Sequence, residues 1–436
     1  MTTSLDHERD WKTLISYLPA NYQQLAETHK QLNTQWANAK FTTADILLRF
    51  IFLHAGADMP LRQTVAAVGA GGGPTVTPVR LHHKMRRAKP YLAALISGML
   101  ADAEERAPER WGGYEMMAID ASTVSGPGAE GIDARLHAVI RLSDLAISSV
   151  QVTDVRGGET LRRFAWMPGQ LVIADRGYAN APGVAWVVDE RADVLVRVNR
   201  GALPVFNDDG APIDVLEWCR ALHGHRATER SVHIVHREGR TERRIDGRLI
   251  GFRLPSKEAQ QARERVLREH GAGTTAEQLE AANYVILFTT ASVERLSAAR
   301  CVEAYRLRWQ IELQFKRWKS LCHFDRLPNY RDDTIQSWLA AKVLIGMLLD
   351  RIGSEQVSVP VHTSRSSRAM ARQPWKLTSI VLPLIVSAIM PFGLHGAINR
   401  LPGIVERLDA MDHAPDARQI VRFRNRFYAD CSTNVH

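Results

Sequence analysis

Residues 305–321 read Tyr305-Arg-Leu-Arg308-Trp-Gln-Ile-Glu312-Leu-Gln-Phe-Lys-Arg-Trp-Lys319-Ser-Leu321. At about 100° per residue, Tyr305, Arg308, Glu312 and Lys319 of a single helix project within an arc of about 60°. One helix face thus carries a carboxylate flanked by two cations and a phenol. Leu307, Ile311 and Trp318 form the adjoining apolar stripe, which docks the helix on a core and leaves the polar arc at its margin. Such an arc suits a bound metal with a nucleic-acid backbone lying across it, because the carboxylate can hold a hard cation while Arg and Lys neutralise phosphates. Charge alone would equally describe a solvated helix face.

Two aspartates upstream stand at the ends of apolar segments with strand character. Asp120 follows Tyr114-Glu-Met-Met-Ala-Ile119, and Asp175 follows Gln170-Leu-Val-Ile-Ala174 and opens Asp175-Arg-Gly-Tyr178. A lone aspartate at such a place is ordinarily a turn or cap residue. In combination with the helix, however, the chain resembles the DDE transposases of bacterial insertion sequences, specifically family four. Members of that group carry a Tyr-x2-Arg-x3-Glu-x6-Lys signature on the helix bearing the third catalytic carboxylate, and all four positions match here at that spacing. Asp175-Arg-Gly-Tyr178 is similar to the family's Asp-x-Gly-aromatic motif.

The resemblance implies that Asp120, Asp175 and Glu312 form the catalytic, metal-holding triad, and that Tyr305, Arg308 and Lys319 meet phosphates near the transferred DNA end. Three carboxylates brought together repel one another and are stabilised in ionised form by divalent cations, which is the logic of two-metal phosphoryl transfer. Mg²⁺ is the expected ion, with Mn²⁺ able to substitute. The family course is cut-and-paste: nicking at the element end, hairpin formation, hairpin opening and strand transfer. Expected partners are double-stranded DNA with terminal inverted repeats, target DNA, and a second copy of the chain in a homodimeric synaptic complex. Family members commonly stack a flipped base on an aromatic residue of an inserted subdomain, but Trp218 lies in a segment of helical character and reads as core packing. Glu159, in Asp154-Val-Arg-Gly-Gly-Glu159, also resembles a family segment, yet a carboxylate at a helix start explains it equally well.

The fold expectation is α/β, an RNase H-like core with a mainly β insertion and helical N- and C-terminal regions. Strands at Met116–Ile119, Arg135–Leu142 and Ala146–Val155, a short helix at Thr160–Trp166, a strand into Asp175, a helix near Val184–Arg191 and a strand at Val194–Asn199 precede the late helix. The boundaries read as 1–108 helical and DNA-binding, 109–201 first part of the core, 202–282 insertion, 283–333 last strand and catalytic helix, and 334–436 helical. The insertion is too long for a loop and must carry structure of its own. Between Arg226 and Arg253 it holds eight arginines against four acidic residues, which favours DNA as the neighbour of this ribbon.

In the N-terminal region, helical spacing at Leu61–Val68 and a basic segment from Val79 to Arg87 flank a glycine-rich break, as in a helix-turn-helix with a long turn. Thr77 and Pro78 supply an N-cap and a first helical residue. Arg80 and Lys84 are the expected groove contacts. A net charge of +9 agrees with a polyanionic partner without requiring one. Four separated cysteines point to neither a disulfide framework nor a zinc ribbon. The polar start of the chain differs from a signal peptide, and the longest apolar run, Ile380–Leu394, is interrupted by Pro383 and Pro391. A cytoplasmic, nucleoid-associated protein without a membrane role is expected. Two other readings stay open, an RNase H-like structure-specific nuclease and a domesticated, non-catalytic DNA-binding relative.

Overall fold

The computed structural model describes residues 2–29, 43–70, 74–105, 108–125, 134–222, 224–325, 327 and 332–357. The apolar run at 380–394 and the part of the expected helical region beyond residue 357 lie outside these residues.

The first part is helical: α1 (Thr2–Ile15), α2 (Tyr22–Thr28), α3 (Ala44–Gly56), α4 (Leu61–Ala70), α5 (Pro78–Arg87) and α6 (Lys89–Glu104). Helix α5 begins as its sequence requires, with Thr77 Oγ1 accepting from the Arg80 amide at 3.2 Å and Pro78 in the first turn, where its missing N–H costs nothing.

Strand character then takes over, in β1 (Glu115–Val124), β2 (Ala134–Arg141), β3 (Ile147–Thr153), β4 (Gln170–Ala174) and β5 (Asp193–Arg197), with α7 (Ala181–Asp189) crossing from β4 to β5. The helix expected at Thr160–Trp166 shrinks to one 3₁₀ turn, Leu161–Arg163. Trp166 folds back to donate from Nε1 to the Leu161 carbonyl at 2.9 Å, which closes the segment before a second turn can form.

A short helix α8 (Val215–Arg220) precedes the hairpin of β6 (Thr228–Glu238) and β7 (Thr241–Arg253), followed by α9 (Ser256–His270), α10 (Ala276–Ala281) and β8 (Tyr284–Thr289). The hairpin continues the core sheet: β7 pairs with β8 from Arg248↔Thr289 to Arg253↔Tyr284, and the whole sheet runs β3-β2-β1-β4-β5-β8-β7-β6. Trp218 of α8 packs on β7, where a Cβ added to Gly251 would lie 2.6 Å from its Cζ3, so it is a packing residue.

Helices α11 (Ala298–Leu307), α12 (Trp309–Cys322) and α13 (Asp332–Val357) complete the described chain. The sequence suggests one helix through Tyr305 and Lys319. Instead the ladder tightens at Arg308, where its amide donates to Tyr305 and its carbonyl accepts from Ile311, both at 3.1 Å in i→i+3 fashion.

Side-chain alternation divides the sheet between two cores. Met116, Ala118, Leu171, Ile173 and Leu195 face α11, α12, α13 and the N-terminal helices, whereas Met117, Ile119, Val172, Ala174, Val194 and Val196 face α7 and α8. The parallel strand β4 is buried along its whole length, as a strand covered on both faces must be. Asp120, Asp175 and Arg197 continue the first set by parity, so all three belong to the side on which α12 lies.

Candidate active site

Parallel pairing of β1 with β4 ends at Ala118↔Ile173, and that of β4 with β5 at Ala174↔Val196. Just past these pairs the strands separate, and Asp120 and Asp175 stand in the opening. Asp120 remains within β1, opposite Ala138 of β2, and its Oδ1 accepts from the Ala121 amide at 2.8 Å. Asp175 leaves β4 and caps the turn Arg176–Tyr178, accepting from the Arg176 amide at 2.7 Å. A Cβ at Gly177 of that turn would come within 2.1 Å of Glu159 Oε2, so a larger residue there would have to displace the Glu159 carboxylate. The glycine of the Asp-Arg-Gly-Tyr motif thus admits a fourth carboxylate beside the site.

The junction of α11 and α12 supplies the rest. Tyr305 donates from its hydroxyl to Asp175 Oδ1 at 3.1 Å. Arg308, with a side chain 11% exposed, reaches all three acids: Nη1 lies 3.5 Å from Asp120 Oδ2, and Nη2 lies 3.9 Å from Asp175 Oδ2 and 2.6 Å from Glu312 Oε1. The three carboxylates far apart in sequence therefore converge on a single guanidinium. The donors gathered around this guanidinium are hard oxygens of the kind Mg²⁺ and Mn²⁺ prefer. Among the described residues no three His, Cys, Asp or Glu side chains stand close enough together to hold an ion.

The same geometry drives the protonation of the two aspartates apart. Burial pushes the Asp120 carboxyl up to about 7, against the pull of Arg308 and the Ala121 amide. Burial also acts upward on Asp175, but Arg308, the Arg176 amide, Arg197 and the Tyr305 hydroxyl outweigh it and hold that carboxyl below its ordinary range. Tyr305 is itself pushed up by burial and by Asp175, so it stays a hydrogen-bond donor.

Arg197 joins the site without having been marked by any motif. The register that places Val196 beside Ala174 sets Arg197 beside Asp175. Parity and strand pairing together could have found it. Lys319, on the next turns of α12, is half-buried and has no ion-pair partner among the described residues.

The expected DNA contacts on α5 divide. Arg80 is exposed, as are His83, Arg86 and Arg87, but Lys84 is only 2% exposed and does not face solvent. It shares the inner face with Leu81 and Met85, and burial together with Arg87 and Arg80 pushes its ammonium down to about 8. The arginine-rich hairpin is likewise less available than its composition suggests. Arg237, Arg243 and Arg244 pair with Glu242, Asp189, and Asp208 with Asp246. Arg248 turns inward, bridging Glu229 and the carbonyls of Ala291 and Leu296 ahead of α11.

Carboxylates at the ends of two neighbouring strands and on a late helix, all within reach of one guanidinium, form a layout suited to phosphoryl transfer on nucleic acid. Residues 111–348 match the model of the transposase DDE domain, and the chain belongs to the DDE transposase family. It is similar to the putative transposase InsL of insertion sequence element IS186A from Escherichia coli K12, 28% identical over 364 residues that cover 82% of this chain and 98% of the relative. The transposase of insertion sequence element IS421 from Escherichia coli is 27% identical over 365 residues, with the same coverage. The protein is a transposase of insertion sequences, an enzyme that acts on DNA. No helix among the described residues is long and apolar enough to cross a membrane.

Proposed function

We propose that this transposase belongs to family four of the insertion-sequence enzymes and moves its element by cut-and-paste chemistry through a DNA hairpin, with Mg²⁺ held by Asp120, Asp175 and Glu312. The observation that carries the reading is the single guanidinium on which all three carboxylates converge. The bound ions would activate water or a DNA 3′-hydroxyl and stabilise the leaving oxygen. Tyr305 fixes the orientation of Asp175 through its hydroxyl. Arg308 offsets part of the charge of the three acids and stands within reach of a phosphate laid across them. Lys319 and Arg197 extend the positive margin along the path of the strand. The exposed edge of α5, with Arg80 in place of Lys84, reads the terminal inverted repeats, and two copies of the chain synapse two element ends around target DNA. The enzyme works on the chromosome in the cytoplasm.

The test uses the full-length chain, Mg²⁺, and linear duplexes ending in the repeats that flank its own gene, beside duplexes with scrambled ends. Cut-and-paste through a hairpin gives a covalently closed end, seen on a denaturing gel as a strand of double length from the repeat-bearing duplex alone. Nicks without a closed end would rule out the hairpin course, and equal cutting of both duplexes would make the enzyme an unspecific nuclease.

A narrower expectation concerns Lys319. Its replacement by Ala should lower the slope of log affinity against log salt by about one unit, as for the loss of one phosphate contact. An unchanged slope in a filter-binding titration would remove Lys319 from the DNA path.

A further inference from the structure

The face of α12 that points away from Glu312 is held by polar groups that neither metal nor DNA requires. Gln314, Arg317 and Trp318 are all buried, and they project roughly 140–240° around the helix from Glu312. All three converge on Asp350 of α13, whose side chain is 18% exposed. Trp318 donates from Nε1 to Asp350 Oδ2 at 3.0 Å, and Gln314 donates from Nε2 to the same oxygen. Arg317 places Nη2 3.7 Å from Asp350 Oδ1 and donates to Gln314 Oε1.

One turn earlier on α13, Gly346 lies under the Trp318 indole so closely that a Cβ would stand 2.6 Å from its Cε2. One turn before that, Lys342 donates to the Cys322 carbonyl at the end of α12 at 2.5 Å. Lys342, Gly346 and Asp350 recur every fourth residue, so they form one stripe along α13 that cradles the back of α12.

Apolar ridges alone allow a helix a scatter of neighbouring settings. On a helix whose side chains reach about 6 Å from the axis, a rotation of roughly 10° displaces a carboxylate by about 1 Å. Displacements of that size matter at a site where three acids from different elements must share a cation. Directional hydrogen bonds to one half-buried acceptor remove the rotational freedom that packing leaves.

We infer that Asp350 is the positioning residue of the catalytic helix, fixing α12 at the rotation that turns Glu312 toward Asp120 and Asp175. The inference rests on the assignment of those three acids as the metal site. It assigns Asp350 no contact with DNA or with the reacting atoms.

The experiment measures Mn²⁺ affinity of the full-length chain by electron spin resonance, and kcat and KM for cleavage of its own repeat-ended duplex. Asp350→Asn keeps an acceptor for Trp318 and Gln314 and should stay within about 3-fold of the parent in both readouts. Asp350→Ala should weaken Mn²⁺ binding and lower kcat by about 10- to 100-fold, the usual effect of losing a group that orients a metal ligand, with KM for DNA little changed. Trp318→Phe keeps an aromatic side chain but deletes the Nε1 donor and part of the indole's volume, so it should lose kcat in the same sense by a smaller factor, and it keeps the test decisive if Asp350→Ala does not fold.

A residue serving only global stability would not separate kcat from KM, nor would its Asn variant restore Mn²⁺ affinity. Parent-like Mn²⁺ affinity and kcat in Asp350→Ala or, failing that, in Trp318→Phe would overturn the inference. Asp120→Ala runs alongside: if it leaves Mn²⁺ binding and cleavage intact, the metal site itself is misassigned and the inference falls with it. If Asp120→Ala loses both while the Asp350 and Trp318 variants do not, only the positioning role falls.

Discussion

Alanine at Asp120, Asp175 or Glu312 should reduce end cleavage at least about a thousand-fold while leaving DNA binding close to that of the parent, since removing one member of a group that acts as a unit costs nearly as much as removing them all. The loss must be separable from unfolding, and Asp120 provides the means. Burial pushes its carboxyl up to about 7 from an ordinary value of 3.8. Between about 3.8 and about 7 the folded chain keeps a proton that the unfolded chain has already released, so stability falls across that window as the pH rises and the full cost is present above about 7. An amide at that position cannot ionise. Asp120→Asn should therefore melt at or above the parent at pH 8 without metal, with the advantage shrinking toward pH 5, even though it cleaves no DNA. Cleavage within ten-fold of the parent by any of the three alanine variants would remove that residue from the chemistry. A fall in DNA binding that matched the fall in cleavage would point to a contact with DNA instead.

The parts of this site that sequence reveals are those whose cause is local. Apolar runs end at Asp120 and Asp175 because a strand buried on both faces has to be apolar until it emerges, and the Thr77-Pro78 start of α5 is visible because capping uses neighbouring residues. Tyr305, Arg308 and Glu312 still meet at the site across the tightened turn, because Arg308 keeps right-handed helical backbone there. What sequence does not show depends on partners far along the chain. Composition marks Arg308 as a cation but cannot say that it will sit among three acids, and it counts Arg237, Arg243 and Arg244 as free charge although each meets an acid in the folded chain. The pairing of β7 with β8, which merges the insertion with the core sheet, is a choice among edges that no single strand encodes. Lys84 is a different case. Its spacing from Leu81 and Met85 already places it on the inner face of α5, and the basic run around it obscured that periodicity.

Lys342 should be the most damaging single position to truncate outside the site. It is 0% exposed, donates to Asp58 and to the Cys322 carbonyl, and lies 4.7 Å from the centre of the Trp338 ring. Three segments meet there: the loop after α3, the end of α12, and α13. Lys342→Ala would take from the Asp58 carboxylate its buried cation, leaving only solvent and His323 3.9 Å away, uncap the last turn of α12 and open a cavity, a combination expected to cost about 2–4 kcal/mol, against a total stability of roughly 5–15 kcal/mol for a typical domain. The charge and the volume can be told apart. Asp58 holds a φ of 50°, a left-handed conformation that asparagine also tolerates. Asp58→Asn combined with Lys342→Met removes both charges and keeps most of the volume, so this pair should recover the larger part of the loss, as buried ion pairs replaced together by neutral groups often do. Urea unfolding of the full-length chain measures both. A loss below about 1 kcal/mol in Lys342→Ala would show the ion pair to be incidental, whereas a double variant no better than Lys342→Ala would put the energy in hydrogen bonding to Cys322 and not in the charge on Asp58. Either way, the measurement tests whether the N-terminal helices and α12 are joined through α13.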